Sequence, residues 1–347
     1  MAYTIEELTQ NMKDDNVSSL TPSLLMEAFI LIGAHSDEAS NVFERLKEGN
    51  AEVAETRRAE IVAKTTAFAK ELFLNADKKD SAGIAEVVVG VLVGGGHNRE
   101  ALDFAKYCID QADFDRAEIA KGCLEGFLCA DKPVREEVEE FTSRCIDGAN
   151  GDWGLLRLAD GFLDVFSEQV AEHMSGEFAR KVVEAAEDKI EAARTCIGAL
   201  FRNGIDTTKF SKDIFGNYKG DKRVELARVC TYQSLDSYSP ENNTLVEGLA
   251  VWFVRQSPTE AEQIPMIVAL YTAFLDAGHE EVAERFRKRC TALVPLGIRS
   301  AEMSDALGKV QSNRPKTRLD RLLNNFAGTL GLPPQAPQAE AAPSQAV

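Results

Sequence analysis

The chain has 347 residues, of which 44% are hydrophobic and 27% are charged, and its formal net charge is −17. This composition supplies enough apolar surface for a large core, which excludes a chain that is disordered over most of its length. The negative charge argues against direct binding of nucleic acid, because phosphate binding depends on Lys and Arg.

Helix signals dominate from the first residues to about residue 293, and strand signals are nearly absent. Start signals include three capping residues that precede a proline, as in Ser257-Pro258, and stop signals include Gly33, Gly204 and Gly278. The sequence predicts helices at 4–14, 21–34, 36–48, 51–75, 79–93, 98–111, 114–130, 133–147, 152–173, 175–203, 207–218, 221–237, 240–256, 258–277 and 279–293. Most connections are short, which predicts antiparallel neighbours.

The composition changes after Pro295. We expect a helical-repeat body over 1–295, with a split into two sub-arrays near 204–220, and a linker with an amphipathic segment over 296–332. Residues 333–347 are rich in Pro, Ala and Gln, which predicts a disordered tail. Residues 309–347 contain five basic and two acidic residues, so their balance of +3 is opposite in sign to that of the body.

An internal repeat places three of the four histidines at the same point of a pattern. The copies cover 33–39, 95–101 and 277–283, and each follows an apolar helix. We interpret each copy as a helical hairpin, in which glycine ends the first helix in a left-handed conformation. Ala101 and Ala283 then lie buried at the contact between the two helices. Weaker copies at shifts of 34 and 37 residues are typical of helix-pair solenoids.

The third copy resembles a tetratricopeptide-type repeat. The residues that carry the resemblance are Leu270, Phe274, Gly278, Ala283, Cys290 and Pro295. The second copy matches through Gly96, Ala101 and Cys108, and the first through Ala39 alone. The resemblance covers about a third of the chain and implies a helical binding scaffold without catalytic residues. A diverged α-solenoid of another family fits the same residues. The fold class that we expect is all-α, an α-solenoid of antiparallel helix pairs.

The sequence contains no motif that indicates catalysis or a cofactor. Equivalent histidines in a solenoid are about 10 Å apart, too far to share a zinc ion, so we expect no metal site. The glycines at 94–96 lack a preceding strand and a Gly-Lys-Ser/Thr sequence, which favours a helix end over a phosphate loop. The seven cysteines include no Cys-x-x-Cys pair and are interpreted as reduced core residues.

The basic segment near the C-terminus is the candidate site for binding a partner. Its residues are Arg314, Lys316, Arg318, Arg321, Leu319, Leu322, Leu323 and Phe326. A basic amphipathic helix of this kind can cap its own solenoid, dock on a protein partner or another copy, or touch a membrane or nucleic acid. These alternatives stay open, and a homo-oligomer is one of them.

The sequence therefore predicts a non-catalytic protein–protein interaction scaffold or adaptor, of which a structural component of a larger assembly is one form. The alternative is an acidic regulatory protein that occupies a basic site by mimicry of nucleic acid. A third reading is a helical enzyme with a site assembled from distant helices. Because no secretory signal and no membrane-spanning stretch is recognised, we expect a cytoplasmic protein whose partners are proteins.

Overall fold

The structure is a computed structural model that describes residues 22–46, 51–112, 115–129, 134–168, 172–235, 240–292 and 298–312. These residues form an all-α fold without strands. None of the helices they form is long and apolar enough to cross a membrane. The helices are α1 (Pro22–Leu46), α2 (Ala51–Leu74), α3 (Lys78–Gly94), α4 (Asn98–Gln111), α5 (Arg116–Leu128), α6 (Arg135–Asp147), α7 (Gly151–Glu168), α8 (Glu172–Ala185), α9 (Lys189–Arg202), α10 (Thr207–Phe215), α11 (Gly220–Gln233), α12 (Pro240–Arg255), α13 (Glu260–Asp276), α14 (Glu280–Thr291) and α15 (Ile298–Ser312).

The chain divides into two compact units, residues 1–214 and 215–347. Over α1 to α9, consecutive helices pack on each other and alternate helices do so too, so that these helices form two layers. The odd-numbered helices α1 to α9 make one layer, and the even-numbered helices α2 to α8 make the other. This arrangement is an α-solenoid of helix pairs, in which each pair covers the apolar face of its neighbour.

The odd-numbered layer of the first unit is held by close backbone contact. Gly122 and Gly126 on α5 face α3 directly, and a Cβ atom at either position would collide with the carbonyl oxygen of Ala82 or Glu86. Because neither glycine has a side chain, the two backbones approach closely along more than one turn. Larger residues fill the interior between the layers, among them Phe104, Phe127, Phe141 and Phe162.

The even-numbered layer is held at its surface by ion pairs between consecutive helices. Lys106 on α4 lies 2.5 Å from Glu140 on α6, and Arg144 on α6 lies 3.1 Å from Asp110 on α4. Arg135 on α6 reaches Glu177 on α8 at 3.8 Å. Exposed pairs of this kind contribute about 0–1 kcal/mol each, so they fix the register of neighbouring helices more than they stabilise the fold.

The second unit repeats the two-layer arrangement. Helices α11, α13 and α15 pack in one layer, and α12 packs on α14 in the other. Its core contains an aromatic group in which the ring centroids of Phe215 and Phe253 are 4.5 Å apart. Phe274 and Phe286 join α13 to α14 with centroids 5.3 Å apart.

The helical repeat is therefore confirmed, but two predicted boundaries are wrong. The sequence predicted that a helix ends at Gly33, whereas α1 continues to Leu46. The buried residues Ala28, Ile32, Ser36 and Ala39 form one continuous stripe, and a helix-interior glycine costs only about 1 kcal/mol. The single helix predicted at 175–203 is two helices, because Asp188 accepts hydrogen bonds from the backbone N–H groups of Ile190 and Glu191 and caps α9.

Residues 298–312, which the sequence placed in a linker, form helix α15. Met303 and Leu307, which lie one turn apart, are buried where α15 packs on α13. These two large apolar residues give α15 the apolar face with which it contacts α13. The predicted helix at 4–14, the amphipathic residues 319–330 and the tail 333–347 lie outside the described residues.

Candidate functional site

The eight residues predicted to bind a partner, from Arg314 to Phe326, all lie outside the described residues. The neighbouring basic residue that is described, Lys309, lies on α15. Its ammonium group is 2.7 Å from Asp305 on the same helix.

The three repeated histidines occupy three different environments. His35 lies in the middle of α1, and its ring is 3.3 Å from the carboxylate of Glu38. His97 and His279 each precede an even-numbered helix, α4 and α14. Among the described residues, no three His, Cys, Asp or Glu side chains come together as a metal site would require.

The predicted glycine turns at Gly96 and Gly278 have the same backbone geometry. Both glycines have positive φ, 75° and 84°. The N–H of His97 donates to the carbonyl of Leu92 at 2.8 Å, and the N–H of His279 donates to that of Phe274 at 2.9 Å. This is the Schellman ending of a helix. A third such turn occurs at Gly204, where Ile205 takes the place of the histidine and donates to the carbonyl of Leu200.

The side chain of His97 is completely buried and contacts two other helices. Its Nδ1 lies 3.1 Å from the guanidinium of Arg58 on α2, which also donates to the carbonyl of Gly96 at 3.0 Å. Its Nε2 lies 3.4 Å from the carbonyl oxygen of Ser36 on α1. Burial is the main cause that lowers the pKa of His97. The ring thus joins α1, α2 and the turn between α3 and α4.

His279 meets a different partner in the second unit. Its Nδ1 lies 3.4 Å from the amide nitrogen of Asn243 on α12, and the ring is partly exposed. One turn further along α12, Glu247 is buried, with a side chain that is only 4% exposed. Arg285 and Arg289 on α14 donate to its carboxylate at 3.0 and 2.8 Å. This group ties α12 to α14.

Sequence reasoning overlooked the most exposed of the large apolar side chains in the described residues, Trp153, which is 71% exposed. Trp153 lies in the first turn of α7, in the odd-numbered layer. A tryptophan of this exposure is unusual, because most tryptophans in proteins are largely buried. No local signal in the sequence distinguishes Trp153 from the buried aromatic residues of α7, such as Phe162.

Trp153 is presented on a fixed backbone. The carboxylate of Asp152 accepts hydrogen bonds from the backbone N–H groups of Glu187 and Asp188, at 2.9 and 2.7 Å. These hydrogen bonds lower the pKa of Asp152, and they tie α7 to the turn before α9. The guanidinium of Arg157 lies 5.0 Å from the centroid of the Trp153 ring and 3.2 Å from Glu118 on α5. We call Trp153, Arg157 and Asp152 together the Trp153 surface.

A depression in the first unit lies between α6, α7 and α8. It has a volume of about 260 Å³ including open solvent. Its lining is Glu139, Thr142, Phe166, Met174, Glu177, Phe178 and Lys181. Its carboxylates are ion-paired, because Arg135 lies 2.6 Å from Glu139 and Lys181 lies 3.8 Å from Glu177. Ion pairing of this kind is typical of a solvated surface rather than of an acid–base pair in a dry pocket.

Most of the cysteines lie in the buried part of the fold. Six of the seven are buried, and Cys129, at the end of α5, is exposed, contrary to the prediction that all lie in the core. Burial raises the pKa of Cys196 and of Cys290 to about 12. Thiols of this kind stay protonated and act as small core residues.

No family model matches the chain, and no curated protein matches it. Among solved structures, a circular tandem repeat protein with novel repeat topology and enhanced subunit contact surfaces aligns at 13% identity and a TM-score of 0.31. The alignment covers 94% of this chain and 84% of that one.

Proposed function

We propose that this protein is a non-catalytic scaffold or adaptor that binds a protein partner through the Trp153 surface. The observation that carries the proposal is an exposed tryptophan on a backbone that Asp152 fixes to the next helix pair. Trp and Arg are enriched among the residues that dominate protein–protein binding energy. A fixed backbone lowers the entropy that such a contact loses on binding.

The alternative function, an acidic protein that mimics nucleic acid, has less support. Mimicry requires a row of carboxylates that face solvent without internal partners. In the even-numbered layer of the first unit, Asp110, Glu140 and Glu177 each contact an Arg or Lys of a neighbouring helix. Their charge is therefore partly neutralised within the fold.

The basic segment that contains Arg314, Lys316, Arg318 and Arg321 is proposed as a second contact. Its charge is opposite to that of the body, and opposite charges speed association. The contacts that these four residues make should weaken with added salt, because exposed charges are screened beyond about 10 Å at 0.1 M.

The test is recovery of partners from the native host on the immobilised full-length chain, with Trp153→Ala compared with wild type. We expect the variant to lose the partner and to keep its melting temperature, since exposed positions change stability by about 0.5 kcal/mol or less. Leu245→Ala in the second unit is the matched control, because Leu245 is a large apolar residue that is 61% exposed and is not part of the Trp153 surface.

The same assay separates the two contacts. Replacement of the four basic residues by Gln should reduce recovery at low salt and have little effect at high salt. Equal recovery with wild type and with Trp153→Ala would contradict the role of the Trp153 surface. Equal recovery with the Gln variant at low salt would contradict the role of the basic segment.

A further inference from the structure

The buried ring of His97 is not required by the turn in which it lies. The turn at Gly204 has the same backbone hydrogen bonds, and it carries Ile205 at the corresponding position. An apolar residue is the usual companion of this helix ending, because it packs against the preceding helix. A buried imidazole in its place adds two polar nitrogen atoms that must find partners.

The contacts of His97 fix the position of its single proton. The guanidinium of Arg58 can only donate, so Nδ1, at 3.1 Å, accepts. The proton is therefore on Nε2, which faces the carbonyl oxygen of Ser36 at 3.4 Å. In this neutral form the ring satisfies a donor on α2 and an acceptor on α1 simultaneously.

We propose that His97 is a proton-sensitive latch, which fastens the α1–α2 hairpin to the turn between α3 and α4 when neutral and loosens it when protonated. A second proton on the ring would sit on Nδ1 and point at the guanidinium of Arg58. That geometry replaces a hydrogen bond by two facing donors and places the charge of the buried ring against the guanidinium of Arg58, which is partly exposed. The hairpin is held on the same side by Ser36, whose Oγ donates to the carbonyl of Val91 at 3.3 Å.

The charged groups around His97 act in both directions. Arg58 on α2 disfavours the protonated ring, and Glu100 on α4 favours it. Glu55, one turn before Arg58 on α2, lies 3.9 Å from the guanidinium and only partly offsets its charge. On α1, the hydrogen bond to the backbone carbonyl of Ser36 also favours the protonated ring. Burial opposes protonation most strongly, so the pKa of His97 in the folded chain lies below its ordinary value of 6.5.

The sign of the pH effect follows from this direction. The unfolded or detached ring takes up a proton at about pH 6.5, whereas the docked ring resists protonation. The stabilisation by His97 is therefore complete above about pH 6.5 and is lost as the pH falls towards the lowered pKa. At His279 the residue that faces Nδ1 is the uncharged Asn243 and not an arginine.

The experiment is hydrogen exchange of the full-length chain, followed by mass spectrometry at about pH 7.5 and about pH 5.5 with correction for intrinsic rates. We expect protection of α1 and α2 to fall at the lower pH by up to about tenfold for each pH unit below 6.5. Peptides from α7 to α9 should stay protected. His97→Asn, which keeps an acceptor but cannot titrate, should abolish the difference, and His279→Asn should leave it unchanged.

Two results would overturn the latch. One is equal protection of α1 and α2 at both pH values in the wild-type chain. The other comes from a titration of the four histidines by NMR in the same chain, which requires no variant to fold. His97 should titrate at a lower pH than its ordinary value of 6.5, and an equal or higher midpoint would contradict the proposal. Arg58→Met should move the His97 midpoint upwards.

Discussion

The turns at Gly96–His97 and Gly278–His279 have the same backbone geometry, but different side chains surround the two histidines. Each is faced by the preceding even-numbered helix, which brings Arg58 in the first unit and Asn243 in the second. One turn further along, that helix carries the buried Val62 in the first unit and the buried Glu247 in the second. The two turns thus share the hydrogen bonds of the helix ending. The neighbouring helix determines which charged groups surround the histidine.

The largest loss of stability should appear when the buried carboxylate of Glu247, in the second unit, loses its two arginine partners. Replacement of both Arg285 and Arg289 by Met leaves Glu247 buried without a cation, which we expect to cost about 3 kcal/mol of unfolding free energy. The measurement is urea unfolding at neutral pH. Arg287→Met is the control, because Arg287 pairs with the partly exposed Glu284 on its own helix. A cost similar to that of the control would mean that Glu247 is hydrated.

The next effect tests what the two turns share. Ala101 and Ala283 follow the histidines by four residues, and both are completely buried. Replacement of either by Leu should overpack the contact between the paired helices and cost about 1–3 kcal/mol. Ala59→Leu on the exposed face of α2 should cost nothing measurable. If one buried alanine tolerates Leu and the other does not, the two hairpins are packed differently despite their common turn.

The smallest expected effect concerns the glycines. Gly96→Ala, Gly204→Ala and Gly278→Ala each force an alanine into positive φ, at about 1 kcal/mol per site. The three costs should agree, because no neighbouring atom lies within 4 Å of a Cβ at any of the three sites. Gly94→Ala, in helical conformation with equal space, should not destabilise the chain. Unequal losses of melting temperature would show that the three turns differ in stability despite their common backbone geometry.

The sequence predicted the helices well wherever local chemistry decides the structure. The turns at Gly96, Gly204 and Gly278 were found because a left-handed residue favours glycine. Gly33 misled the prediction, since the buried stripe through Ile32 and Ser36 keeps α1 helical. The turn before Lys189 was missed, although Asp188 and Glu191 have the spacing of a capping pair.

The candidate site was less accessible to sequence reasoning than the fold. Nothing in the sequence indicates that Trp153 is exposed while Phe162, on the same helix, is buried. That difference depends on which side of α7 its neighbours cover. The environment of His97 depends likewise on Arg58, 39 residues away along the chain. Such contacts between helices belong to the tertiary structure, and a local sequence pattern cannot specify them.

The contact between Gly122 and Ala82 has a mechanical consequence for the first unit. Two backbones in direct contact leave no side chain between them that could change rotamer and absorb strain. The α3–α5 seam should therefore behave as a stiff hinge line, along which the helices can rock but not separate. Long Arg and Lys side chains bridge α4, α6 and α8 on the other layer and can extend. Elastic opening of this unit, under load or on binding, is thus expected to widen the even-numbered layer and leave the glycine seam closed.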